Sequence, residues 1–289
     1  MRYSILGTGL MGSAVARALA KSGVDTAVWN RTTSRAELLA DAGVSVHADI
    51  ASALDAADAV VLLTVDLDAA LEVLDGHFAA LNGKAVINLM SGTPILAMEM
   101  ARRVEEAGGR YLDGTIQCYP SEIGTAGALI NLSGDREVWD AHKDALVAVA
   151  GRSTYVGEDP GAASVLDAAL AGAFYTAGLG AFCEALAFLR DSNINPTRAE
   201  VSLDYWLDLF KAQAMQLADS LAREDFSTSD ATLAIYLAAV KQWRETMLAA
   251  GQRAGMMTAA LQNLQIADAA GYGNSGFVAQ VQTMSSETK

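Results

Sequence analysis

Residues 3–23 read YSILGTGLMGSAVARALAKSG, and this stretch decides the fold. The apolar run 3–6 suits a short buried strand, and Gly7, Gly9 and Gly12 follow it at once. Val15 and Leu19, set among alanines, then give one apolar helical face that ends at Gly23. Strand, glycine turn and helix in that order make a dinucleotide-binding unit. Its first glycine allows the tight turn, the second lets a pyrophosphate approach the backbone, and the third lets helix and strand pack closely. Leu10 and Met11 open the helix, whose N-terminal amides face the anion. The bland alternative is an ordinary glycine turn, against which the flanking strand and amphipathic helix both count.

A second strand over 26–29 ends in Asn30-Arg31-Thr32-Thr33-Ser34-Arg35, eighteen residues past Gly12. An acid at that distance would accept from the 2′-hydroxyl of NAD. Here Arg31 and Arg35, with Asn30 and Thr32, surround the position of a 2′-phosphate, which predicts NADPH as the cofactor. A solvated basic helix start is the other reading, but a cation at a helix N-terminus opposes the dipole. Further strands are predicted over 44–47, 59–65, 85–89, 111–117, 128–133 and 153–156, with helices over 50–57, 69–81 and 138–149. This α/β alternation predicts a doubly wound parallel sheet of the Rossmann type over 1–160. Ligands of such sheets lie beyond the carboxyl ends of the strands, so Thr64, Val65, Asn88 and Ser91 are candidate cofactor contacts. Thr93 before Pro94 reads equally well as a helix cap.

After Gly161 the alternation stops, and 161–289 reads as an all-α domain with helices over 198–222, 229–250, 258–269 and 276–283. Its first element is LDAALAGAFYTAGLGAFCEALAFLR at 166–190. Sixteen uncharged residues separate Asp167 from Glu184. That is short of the roughly 20 a membrane span needs, so a buried helix of a soluble protein is expected. A helix apolar on every side needs cover on every side, which predicts a homodimer through this domain.

With 20 basic and 34 acidic residues the net charge is -14, which disfavours nucleic acid and anionic membrane surfaces. Met1 leads directly into a strand, with no export signal expected. Two cysteines, Cys118 and Cys183, fit reduced thiols in a cytoplasm. His47, His77 and His142 lack metal-ligand spacing, so no metal is expected. Disorder is expected only from Ser285 on.

The order of pieces resembles the imine reductases and their reductive aminase subgroup, within the β-hydroxyacid dehydrogenase superfamily. The matching stretches are GTGLMG at 7–12, VWNRTTSRA at 28–36, NLMSGTP at 88–94, YLDGTIQCYPSEIGTAGALINLSG at 111–134 and GEDPGAASVLDAALAGAFY at 157–175. The last one discriminates. Hydroxyacid dehydrogenases carry a catalytic lysine near the start of this helix, whereas here the chain reads Val165-Leu166-Asp167-Ala168-Ala169. The resemblance implies reduction of imines by NADPH, including reductive amination of a carbonyl with an amine. It implies catalytic roles for Asp167 and Tyr175, and a substrate pocket with Trp206 and Tyr236, to which the Cys118-Tyr119 loop adds. Gln117, Cys118 and Tyr119 replace the smaller apolar residues usual in that loop, and Gly271-Tyr272-Gly273-Asn274 replaces a histidine-glycine-glycine tract.

Chemistry accords with that assignment. A partly desolvated carboxylate serves an iminium as counterion or proton donor, and would repel the alkoxide developing from a ketone. On a regular helix Asp167 and Tyr175 stand about 12 Å apart along the axis and roughly a quarter turn apart. Asp167 also fits a helix N-cap or an ion pair, and Tyr175, Trp206 and Tyr236 also fit core positions. Two other functions remain open: a hydroxyacid dehydrogenase-like oxidoreductase with altered residues, and an NADP(H)-binding protein without turnover.

Overall fold

The computed structural model describes residues 1–285; of the tail expected to be disordered from Ser285 on, all but Ser285 lies outside the described residues. Eight strands form one sheet: β1 (Arg2–Leu6), β2 (Asp25–Trp29), β3 (Ser45–Val46), β4 (Ala59–Leu62), β5 (Ala85–Asn88), β6 (Arg110–Ile116), β7 (Ile130–Gly134) and β8 (Thr154–Gly157). Their order is β3-β2-β1-β4-β5-β6-β7-β8, so the connections reverse between β1 and β4. That reversal opens a crevice at the carboxyl end of β1, where the glycine turn sits.

Pairing is parallel from β3 through to β6, antiparallel between β6 and β7, and parallel again between β7 and β8. The doubly wound parallel sheet therefore holds for six strands, while the last two run the other way. The cause is the link from β6 to β7, which contains only a 3₁₀ turn, Pro120–Glu122. Without a crossover helix a strand cannot return parallel to its neighbour.

Six helices cover the sheet: α1 (Leu10–Lys21), α2 (Thr33–Glu37), α3 (Ile50–Asp55), α4 (Leu67–Leu74), α5 (Pro94–Glu106) and α6 (Arg136–Val149). Strand side chains alternate between the two faces. Ile5, Val61 and Ile87 join Val15, Leu19 and Trp139 on one side, and Leu6, Leu62 and Val86 join Leu54, Leu74 and Met100 on the other. Burying each such side chain contributes about 1.5–3 kcal/mol, which fixes the strand ends that carry the site. Thr93 does cap α5, accepting from the Leu96 amide at 3.3 Å. His142 is buried on α6, with Nδ1 at 2.5 Å from the Tyr3 hydroxyl.

The chain divides into two compact units, Met1–Phe174 and the residues from Tyr175 on. One helix, Ala162–Asp191, begins in the first and continues in the second. It comprises α7 (Ala162–Asp167), a π-helical stretch Ala168–Thr176, and α8 (Ala177–Asp191). Beyond it come α9 (Glu200–Ala222), α10 (Leu233–Ala249) and α11 (Gly255–Ala267). Leu233, Val240, Leu261, Leu264 and Ala267 make a small core between α10 and α11.

The expectation of a buried long helix is not met within one chain. Ala162–Asp191 is long and apolar enough to cross a membrane, and none of its most apolar window is buried. Neither α8 nor α9 contains a buried residue. Helical pattern dictates that these apolar faces want cover, and a single chain does not provide it. Glu184 does fasten α8 at one point: its carboxylate accepts from the amides of Gly255, Met256 and Met257 at 2.6, 3.4 and 3.3 Å, at the start of α11. An anion there complements the helix dipole.

Candidate active site

The glycine turn is built for close approach. Gly7 has φ +110, and a Cβ there would lie 2.2 Å from the Leu63 carbonyl oxygen. At Gly12 a Cβ would lie 2.0 Å from the Gly7 carbonyl oxygen, so any larger residue would force α1 away from the turn. At Gly9 a Cβ would meet nothing within 4 Å, which leaves the backbone open on the ligand side. Gly9 is also the N-cap of α1 and gives no side-chain cap, so the first helical amides are left for an anion.

Two further observations fit a dinucleotide. Thr8 is buried, and its Oγ1 has no hydrogen-bond partner among the described residues. A buried hydroxyl in that state wants a polar partner of the kind a phosphate or ribose supplies. Asn30 accepts from the Thr8 amide at 3.1 Å and donates to the Thr32 carbonyl at 3.0 Å. It therefore braces the turn against the end of β2 and holds Arg31 and Thr32 at its rim.

A cleft of about 310 Å³ brings together Gly7, Gly9, Asn30, Arg31, Thr32, Arg35, Thr64 and Val65. Arg31 and Arg35 are exposed, and among the described residues neither forms an ion pair. Arg35 is the middle residue of the five-residue α2, beside the cleft. Val65 is 86% exposed, an apolar wall open to the cleft. Thr64 turns inward, donating to the Asp66 carbonyl at 2.8 Å and lying 3.1 Å from the Met90 sulfur. Leu10, Met11 and Gly12 follow the turn on α1, and Ser91 is exposed after β5.

Asn88 requires a correction as a direct contact. It is fully buried; its amide donates to the Met90 carbonyl and to Asp113, and its oxygen accepts from the Met90 amide. With both amide hydrogens and one oxygen lone pair used inside the protein and no exposed surface, its side chain shapes the 89–91 loop. Asp113 was not singled out from the sequence. Its carboxyl accepts from Asn88 at 2.7 Å, from the Tyr111 hydroxyl at 2.8 Å and from Ser164 at 3.2 Å, linking β5, β6 and α7. Burial pushes its pKa above the usual carboxylate value while those donors pull it back. An acid inside the otherwise apolar strand YLDGTI was the available signal.

Asp167 is the last residue of α7, six positions into a helix whose N-cap is Gly161. It is not a cap, and among the described residues it forms no ion pair. Its Oδ1 accepts from Gln117 Nε2 at 2.7 Å. Cys118 is half-buried against the sheet core, where burial raises its thiol pKa. Tyr119 is 71% exposed at the start of the 3₁₀ turn. On the second unit, Tyr175 lies in the π-helical stretch and is 55% exposed, and Trp206 on α9 packs edge-on against Tyr205. Tyr236 meets Phe277 at a ring distance of 4.8 Å and borders the α10–α11 core, so its core reading holds in part. The π winding also voids the quarter-turn estimate between Asp167 and Tyr175, which assumed 3.6 residues per turn. Among the described residues no group of His, Cys, Asp or Glu is placed to hold a metal ion.

Comparison with known proteins gives a consistent answer. Residues 2–157 match the family described as the NAD binding domain of 6-phosphogluconate dehydrogenase. Residues 159–286 match the C-terminal domain of NADPH-dependent reductive aminase-like proteins. The NADPH-dependent reductive aminase of Aspergillus oryzae is 30% identical over 251 residues, covering 86% of this chain and 83% of that protein. The solved imine reductase of Myxococcus stipitatus in complex with NADP+ superposes with a TM-score of 0.90 at 27% identity, over 99% of this chain and 100% of that one. A reductive aminase of Aspergillus terreus in complex with NADPH4, cyclohexanone and allyl amine superposes at 0.86 with 26% identity, over 98% and 99% of the two chains.

Proposed function

The chain belongs to the imine reductase and reductive aminase family, and on that premise we propose that it reduces imines and iminium ions to amines with NADPH, including those formed from a carbonyl and an amine. NADPH supplies the hydride to the carbon of the C=N bond. The protein's residues bind and orient. Arg31 and Arg35 would take the 2′-phosphate and the amides of the glycine turn the pyrophosphate, with Val65 as an apolar wall of the same cleft.

One observation carries the assignment to C=N chemistry: Asp167 is a carboxylate in an apolar helix with an amide, not a cation, as its partner. A carboxylate so placed is a counterion in want of a cation, and a protonated imine provides one. Tyr175 is proposed to hydrogen-bond the amine nitrogen, with Trp206, Tyr236, Cys118 and Tyr119 as pocket residues. The decisive assay is NADPH consumption with 2-methylpyrroline and with cyclohexanone plus a primary amine, set against NADP+ reduction with a β-hydroxyacid. Turnover on the first two is expected. Activity on the hydroxyacid alone would point to the dehydrogenase reading, and silence in all three to a binding protein without turnover.

We further propose a homodimer through the helical half, in a reducing compartment where Cys118 and Cys183 stay free thiols. A second copy suits the open apolar faces of α8 and α9 better than lipid does, because Glu184 on α8 and Asp204, Asp208 and Lys211 on α9 would otherwise enter hydrocarbon. Light scattering at micromolar concentration is expected to give twice the 30.2 kDa chain mass; a stable monomer would sink this part.

A further inference from the structure

Gln117, whose size sets this loop apart from the smaller apolar residues of the family it resembles, has a partner in the structure. It follows β6 directly and keeps the strand's pairing, donating its amide to the Leu129 carbonyl at 2.9 Å. Thr115 and Gln117 are two residues apart and share one face of the strand, while Ala163 and Asp167 are four apart and share one face of α7. Hydrogen bonds join the two faces. Thr115 Oγ1 donates to the Ala163 carbonyl at 3.4 Å, and Gln117 Nε2 lies 3.2 Å from Thr115 Oγ1 and 2.7 Å from Asp167 Oδ1.

Donor accounting fixes the direction of every bond. A hydroxyl has one proton, and that of Thr115 is directed at Ala163, so toward Gln117 its oxygen accepts. The side facing Thr115 must then be the NH₂ group, and its second hydrogen meets Asp167 Oδ1. A bond from an amide to a carboxylate is among the stronger hydrogen bonds, and here its donor is itself anchored on a buried strand residue. Oδ2 accepts no hydrogen bond among the described residues.

We propose that Gln117 is a positioning residue that locks the Asp167 carboxylate by one oxygen and leaves the other to meet the N–H of a protonated substrate nitrogen. The inference rests on the reading of Asp167 as the substrate's counterion. It also narrows the substrate class: an oxygen kept as an acceptor serves cationic C=N substrates that carry an N–H, formed from ammonia or a primary amine, or protonated cyclic imines. Iminium ions from secondary amines, which lack that hydrogen, gain less from it.

Four enzymes test this at saturating NADPH with 2-methylpyrroline: the natural chain, Gln117→Met, Asp167→Ala and the double variant. Methionine keeps the length and removes the donor. Gln117→Met is expected to lower kcat/KM about 10-fold, the loss of one charge-assisted hydrogen bond at 1.4 kcal/mol per decade. NADPH Kd, read by fluorescence, should not move. In the Asp167→Ala background the same change should have no further effect, because the group it positions is gone. A loss of equal size in that background would show that Gln117 acts elsewhere and overturn the inference, as would full activity of Gln117→Met alone. An unchanged Asp167→Ala would instead overturn the counterion reading itself, and the inference with it. Gln117→Glu, equal in shape but setting a carboxylate against Asp167, should lose more than Gln117→Met; an equal or smaller loss would also count against the lock.

Discussion

Asp167→Ala is expected to lower kcat for a cyclic imine by about 10²–10³ while NADPH Kd stays unchanged. The size follows from what the group does. A carboxylate within a few ångströms of a developing or resident positive charge, in surroundings drier than water, stabilises it by several kcal/mol, and three factors of ten correspond to about 4 kcal/mol. Little else should change. Asp167 caps no helix and forms no ion pair among the described residues, and its bond to Gln117 is partly exposed, so removing it is a surface-scale change in stability of at most about 1 kcal/mol. The cleft proposed for NADPH lies at the glycine turn and the Arg31–Arg35 rim, built from other elements. Asp167→Asn sharpens the result, because it keeps an oxygen for Gln117 and removes the charge. If charge is the operative property, asparagine should fall close to alanine; activity near that of the natural chain in either variant would remove Asp167 from the reaction.

What the sequence disclosed, and what it hid, follows the range of the interactions involved. The turn at Gly7–Gly12 was legible because its constraints are local: a positive φ, a carbonyl 2.0 Å from a would-be Cβ, and a helix start with no cap of its own. That Arg31 and Arg35 line the same cleft as the glycine turn follows from an equally local cause, their fixed distance along one βα unit. The reversal of β7 and β8 was hidden by reading strands one at a time, although the missing crossover helix between 117 and 128 was the clue. The inward bonding of Asn88 was hidden because its partner Asp113 lies 25 residues on, and Ser164 a further 51, in register only once the sheet is assembled. Apolar content showed that 166–190 would want cover on every side, and in the structure none of the most apolar window of Ala162–Asp191 is buried. Hydrophobicity states a demand, not who meets it. The π winding over Ala168–Thr176 carries no proline to announce it, and it changes which side chains share a face.

Cofactor choice gives the other large effect. Replacing both Arg31 and Arg35 with alanine is expected to raise the KM for NADPH by about 10²-fold, to leave the KM for NADH within about threefold, and to leave kcat at saturating NADPH nearly unchanged. Hydrogen bonds to charged groups contribute about 1.5–3 kcal/mol each, and the lower figure applies to side chains as exposed as these, which makes roughly tenfold per arginine. Neither arginine has an ion pair to give up among the described residues, so each meets the phosphate with its full charge. Their setting raises the stakes. A chain of net charge -14 repels a cofactor phosphate, so these two cations are a local exception on which binding depends. The contrast with NADH follows directly, since that cofactor presents a hydroxyl where NADPH presents the phosphate. Salt provides an independent check: the preference of the natural chain for NADPH should weaken as ionic strength rises from 0.01 to 1 M, over which the Debye length falls from about 30 to about 3 Å, and the double variant should show little salt dependence. An unaltered NADPH preference in the double variant would mean that the phosphate is held elsewhere, and Asn30, already committed to the Thr8 amide and the Thr32 carbonyl, has no charge with which to hold it.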